Sequence, residues 1–107
     1  MISGDRAKIE TAVSRAKEHG IRRATLLNVA GAYHSRLMES AHRQVGEALA
    51  GAALETPRFP VISNVTGEQV RSSAEIRQTL QSQVTATVRW PDCMERMTAL
   101  GCDLFLR

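Results

Sequence analysis

The segment Ala24-Thr25-Leu26-Leu27-Asn28-Val29 limits the fold more than any other part of this chain. It is almost continuously apolar over the length of one strand. A run of that kind reads as a strand buried on both faces, as in a sheet covered by helices. The residues before it carry a different period. Ile9, Ala12, Val13 and Ala16 recur at helical spacing. Asp5 stands at the N-terminal end of that stripe, where negative charge is favoured, and Gly20 supplies a stop after Lys17-Glu18-His19. Ile2-Ser3-Gly4 reads as the end of a short strand, so residues 1–29 form a strand–helix–strand unit.

The same alternation continues downstream. Ser35 is placed to cap a helix whose buried side is Leu37, Ala41, Val45, Ala48, Leu49 and Ala52, ended by Pro57. Phe59 to Ser63 reads as a short buried strand and Thr66-Gly67 as its turn. Ser72-Ser73-Ala74-Glu75 opens a helix with Ile76, Leu80 and Val84 as its stripe. Trp90-Pro91-Asp92 opens another, since proline is tolerated in a first helical turn. Met94, Met97 and Leu100 face inward there, and Asp103-Leu104-Phe105-Leu106 begins a final strand. Strands alternating with helices predict an α/β fold.

Composition excludes several classes of function. The apolar fraction of 43% is that of a folded chain, and no apolar run approaches the roughly 20 residues needed to span a bilayer. No hydrophobic leader precedes Gly4-Asp5-Arg6, so a cytoplasmic location and no membrane partner are expected. Cys93 and Cys102, the only cysteines, lie nine apart without flanking ligands, and they predict reduced thiols and no metal site. The net charge of +3 suits acidic or phosphate-bearing partners in general. It does not single out nucleic acid: the longest basic run is Arg22-Arg23, and no aromatics interleave with the arginines. Arg22, Arg23, Arg36 and Arg58 read as solvated surface.

One stretch carries chemistry. Asn28-Val29-Ala30-Gly31-Ala32-Tyr33-His34-Ser35-Arg36-Leu37-Met38 puts a histidine where a strand gives way to a helix. Such a turn lifts an imidazole out of the packed layers, where it can act as a general base. The chain has no Gly-x-Ser-x-Gly elbow to supply a nucleophile for it. Ser35 is too close in sequence to be attacked through and reads as a cap. His19 and His42 read as surface residues of helices. Taken alone, Asn64 in Pro60-Val61-Ile62-Ser63-Asn64-Val65-Thr66-Gly67 is a turn former.

The order of these pieces resembles the C-terminal part of the malonyl-CoA:acyl-carrier-protein transacylases, the acyltransferases of fatty acid and polyketide biosynthesis. The pieces are Ile2-Ser3-Gly4, Gly31-Ala32-Tyr33-His34-Ser35 with Leu37-Met38, Pro60-Val61-Ile62-Ser63-Asn64-Val65, and Val88-Arg89-Trp90. The resemblance implies the C-terminal part of an α/β-hydrolase-like acyltransferase domain over residues 30–107. It implies half of that family's ferredoxin-like small subdomain over residues 1–29. It also implies a serine nucleophile, upstream of what this chain resembles, that takes malonyl from coenzyme A and passes it to the phosphopantetheine thiol of acyl carrier protein. His34 falls on the family's histidine base. Asn64 falls on the asparagine expected to orient that ring through its backbone carbonyl. No resident cofactor is implied, and the partners are malonyl-CoA and acyl carrier protein.

Departures from the family pattern are local. Tyr33 stands for the commoner phenylalanine, Arg36 and Thr87 for usual prolines, and Arg107 where relatives continue with Glu-Ile-Gly-Pro-Gly. The aromatic at position 33 resembles malonyl-selective members. The alternative reading is non-catalytic: a fragment or split subunit that binds acyl carrier protein or a separately encoded N-terminal half. On the first of these readings Leu26, Leu27, Val61 and Leu104 are expected to be exposed in this chain alone, with poor stability as the consequence.

Overall fold

The computed structural model describes residues 1–106; Arg107, the end of the second expected unit and the point of departure from the family pattern, lies outside the described residues. Helix α1 spans Arg6–Arg15 and continues as a 3-10 turn over Ala16–His19. Its start and stop are local. The Asp5 carboxylate accepts from the Lys8 backbone N–H at 3.2 Å, and Gly20 closes the turn at φ 76°. Helix α2, Glu39–Ala50, follows a 3-10 turn at Arg36–Met38 that Ser35 caps. Helix α3, Ser73–Ser82, begins with a reciprocal cap: Ser72 Oγ accepts from Glu75 N–H at 3.2 Å while the Glu75 carboxylate accepts from Arg71 N–H at 2.6 Å. Helix α4, Trp90–Ala99, carries Pro91 in its first turn.

The sheet is small. Strands β1, Val61–Ile62, and β2, Gln69–Val70, pair antiparallel with Val61 opposite Val70 and Ile62 opposite Gln69. The expected turn is there, with Gly67 at φ 74° donating to the Ser63 carbonyl at 2.8 Å. This hairpin packs on α4. Ser63, Val70 and Cys93 are buried together with Gly67, and Cys93 Sγ donates to the Ser63 carbonyl at 3.6 Å. Arg96 on α4 pairs with Glu68 on the hairpin.

Helices α2 and α3 pack side by side and antiparallel. The guanidinium of Arg77 on α3 donates through Nε to the Leu49 carbonyl at 2.8 Å and through Nη2 to the Ala52 carbonyl at 3.1 Å. It thereby supplies a donor to the Ala52 carbonyl and a further one to the Leu49 carbonyl, which also accepts from Ala52 N–H at 3.2 Å.

Three expected strands are absent. Residues 2–4, 24–29 and 103–106 have no strand structure. A strand exists only by pairing with another, and nothing among the described residues pairs with these. The expected strand from Phe59 to Ser63 is shortened to the two residues that face β2. The apolar faces stand open as the sequence suggests: Leu26, Leu27, Val61 and Leu104 are 51%, 63%, 38% and 74% exposed. Among the described residues the buried apolar side chains reduce to Ala16, Val70 and Cys93. The accessible surface is 8633 Å². A compact chain of this size exposes about 5900 Å². Helices with a small sheet make this an α/β fragment, and much of its apolar surface is uncovered.

Candidate functional site

His34 sits in the loop that leads into α2. It is the one non-glycine residue among those described with positive φ, at 61°. That conformation costs a non-glycine residue about 1–3 kcal/mol and persists only where the surroundings hold it. Two carbonyls at the end of α3 do so. The His34 backbone N–H donates to the Val84 carbonyl at 3.1 Å, and the ring Nδ1 lies 2.9 Å from the Gln83 carbonyl. The last carbonyls of a helix have no partner within it, so Gln83, which caps α3, has an acceptor to offer.

The chemistry of this contact follows from the partner. A carbonyl oxygen only accepts, so Nδ1 must carry the proton. A neutral ring held in that tautomer has its lone pair on Nε2. The neighbours of His34 complete the loop. Ser35 Oγ donates to the Ala32 carbonyl at 2.6 Å and accepts from Leu37 N–H at 3.2 Å, the capping role expected of it. Gly31 lies under the Met38 side chain, where a Cβ would meet Sδ at 3.4 Å. Tyr33 is about half exposed, with its ring carbon Cζ 3.8 Å from where a Cβ on Gly31 would stand.

Asn64 is not where the resemblance implied. Its backbone carbonyl accepts from Arg89 N–H at 2.7 Å, at the entrance to α4, and the ring of His34 is served by Gln83 instead. The reason is geometric. The Ser63–Glu68 turn is folded onto the start of α4 by the Ser63 and Arg89 contacts, while the end of α3 meets the His34 loop. Asn64 thus ties the hairpin to the segment running from Gln83 to Arg89. Sequence reasoning missed Gln83 because a backbone acceptor leaves no mark in residue type. The one available signal was the end of α3 itself.

The other candidates separate clearly. His19 and the four arginines at 22, 23, 36 and 58 are exposed. His42 is not a surface residue: it is half-buried between α2 and α3, with Gln81 Nε2 at 3.2 Å from its Nε2. Burial pushes the Cys93 thiol up, the Asp92 carboxylate adds to this, and Arg89 opposes it. Cys102 is exposed. No cluster of metal-ligating side chains occurs among the described residues, and no helix among them is long and apolar enough to cross a membrane. Two open depressions, of about 400 and 340 Å³, lie along the hairpin and α4 around Glu68 and Arg96, and His34 lines neither.

No protein-family model matches the chain. Individual proteins do. The malonyl CoA-acyl carrier protein transacylase of Bacillus subtilis (strain 168) is 34% identical over 106 residues, which are 99% of this chain and 33% of that protein. The crystal structure of the acyl-carrier-protein S-malonyltransferase of Burkholderia pseudomallei 1710b matches with a TM-score of 0.85 at 35% identity, over 92% of this chain and 32% of that one. A malonyl-transacylase solved in complex with its type II polyketide acyl carrier protein matches with a TM-score of 0.86 at 33% identity, again over 92% of this chain and 32% of the other. The chain is thus similar over nearly its whole length to malonyl-CoA:acyl-carrier-protein transacylases, and it spans about a third of the length of these relatives.

Proposed function

We propose that this chain, similar as it is to one third of a malonyl-CoA:acyl-carrier-protein transacylase, supplies the histidine half of a Ser–His acyl-transfer site. The observation that carries this reading is the 2.9 Å contact between His34 Nδ1 and the Gln83 carbonyl at a backbone position of φ 61°. It leaves Nε2 able to take a proton.

The serine belongs to a segment that this chain does not match. Its hydroxyl gives a proton to Nε2 of His34 as the oxygen attacks the malonyl thioester of coenzyme A, and the ring passes that proton to the departing coenzyme A sulfur, which leaves as the thiol and restores the neutral base. The ring then accepts the proton of the phosphopantetheine thiol as that sulfur attacks the malonyl-serine ester, and returns a proton to the serine oxygen. The Gln83 carbonyl keeps the ring oriented through both steps, in the role that a carboxylate fills in a three-residue site. No resident cofactor enters this route. The substrates are malonyl-CoA and acyl carrier protein, and the setting is the cytoplasm. Residues 1–29 act as half of a ferredoxin-like subdomain and residues 30–107 as the edge of the larger one.

The test is a transfer assay. The chain is joined in frame behind the upstream two thirds of the Bacillus subtilis relative, and malonyl transfer to acyl carrier protein is followed. Transfer is expected, and His34→Ala is expected to lower kcat/KM by about 10²–10⁴. Transfer that His34→Ala leaves unchanged would refute the role of the ring and favour the non-catalytic reading.

A further inference from the structure

Helices α2 and α3 are tied at three levels. Arg77 holds the carbonyls of Leu49 and Ala52 at one end, and His34 meets Gln83 and Val84 at the other. Between them, Gln81 Nε2 donates to His42 Nε2 at 3.2 Å. This middle tie is unusual. A neutral His42 that accepts through Nε2 carries its proton on Nδ1, and Nδ1 is buried with no partner among the described residues. An apolar pair would fill the same space without that cost. The sequence also makes room for the amide. Gly46 lies one turn along α2, and a Cβ there would stand 2.7 Å from Gln81 Cδ. The amide of Gln81 is therefore seated on bare helix backbone and held by one ring.

Gln81 leads directly to the groups that hold His34. Its carbonyl accepts from Val84 N–H at 3.3 Å, the Val84 carbonyl accepts from His34 N–H at 3.1 Å, and the adjacent Gln83 carbonyl meets His34 Nδ1 at 2.9 Å. Packing alone explains neither the polar pair nor the notch at Gly46. Placement of the α3 terminus explains both.

We propose that the His42–Gln81 pair is a positioning device, which seats the end of α3 on α2 so that the Gln83 carbonyl stays within reach of the Nδ1–H of His34. Its purpose rests on the reading of His34 as a base, but its consequence is read from the His34 ring itself. If the transfer assay fails while the ring responds as below, the activity falls and this inference stands.

The experiment uses the full chain labelled with ¹⁵N. Long-range proton–nitrogen spectra give the ratio of Nδ1–H to Nε2–H tautomers of His34, and far-UV circular dichroism reports the helices. Gln81→Met keeps the length of the side chain and removes its hydrogen bond. It is expected to lower the tautomer ratio about fivefold, the equivalent of about 1 kcal/mol for one net hydrogen bond, with helix content retained. Gln81→Glu, which can accept from His42, restores the ratio to within twofold of the original. Arg77→Met removes a different tie between the same helices and leaves the ratio within twofold. The inference is overturned if Gln81→Met holds the original ratio within twofold, if Gln81→Glu fails to restore it, or if Arg77→Met shifts it as much. It is equally overturned if Gln81→Met loses its helical signal, because the pair would then serve the packing of α2 on α3.

Discussion

Replacing Gly67 with alanine tests how firmly the hairpin sits on α4. Two costs add there. The residue has φ 74°, a left-handed conformation that costs an L-residue about 1–2 kcal/mol. A Cβ at that position would also stand 2.5 Å from Asp92 Cβ and 3.5 Å from the Asp92 carbonyl carbon. Carbon atoms at rest stay about 3.5–4.0 Å apart, so hairpin and helix must separate, at a cost of about 1–3 kcal/mol. The total for Gly67→Ala is about 2–5 kcal/mol. Gly101 supplies the control. It has φ 90°, with nothing within 4 Å of the added Cβ, so Gly101→Ala carries only the backbone cost of about 1–2 kcal/mol. The change in unfolded-chain entropy is common to both substitutions and cancels in the comparison. Urea unfolding followed by the fluorescence of Trp90, the first residue of α4, measures each variant. Gly67→Ala should lie about 1–3 kcal/mol below Gly101→Ala, or lose its cooperative transition where Gly101→Ala keeps one. Equal destabilisation would refute the reasoning, because the hairpin would then move off Asp92 at no cost.

Four further outcomes follow from the structure. Arg77→Met should destabilise the α2–α3 pair by about 1–3 kcal/mol, since it removes the donor to the Ala52 carbonyl and one of the donors to the Leu49 carbonyl, and Arg77→Lys should recover only part of this; thermal circular dichroism measures both. Cys102 should react with a thiol reagent well before the buried Cys93, read by mass spectrometry of the labelled chain. Because the folded Cys93 thiol is raised, the unfolded chain ionises first, so stability is full below about pH 8.5 and falls as the pH climbs from there towards the raised value; the alkaline loss should be smaller in Cys93→Ala. Leu27→Lys should weaken self-association and dye binding in light scattering and fluorescence while leaving helix content unchanged, because Leu27 is 63% exposed and lies outside every helix.

The helices were legible because their signals are local. Asp5, Ser35 and Ser72 each cap the turn that follows them, Gly20 stops the first helix, and Pro91 opens the last. The Thr66-Gly67 turn was legible for the same reason, since φ 74° suits glycine at no steric cost. The run at 24–29 and the segments at 2–4 and 103–106 were not, because apolar strand residues describe what a segment would do beside a partner. His34 could be singled out from its neighbours in sequence. The atom that orients it could not: Gln83 contributes a carbonyl, which every residue has, and the resemblance had assigned that part to the backbone carbonyl of Asn64, which meets Arg89 instead. Residue order alone determined helices, caps and turns, since their hydrogen bonds close within a few positions. Tertiary structure alone decided which strand found a partner, that His42 is half-buried between two helices, and which backbone oxygen meets His34, because those contacts join residues 7 to 49 positions apart.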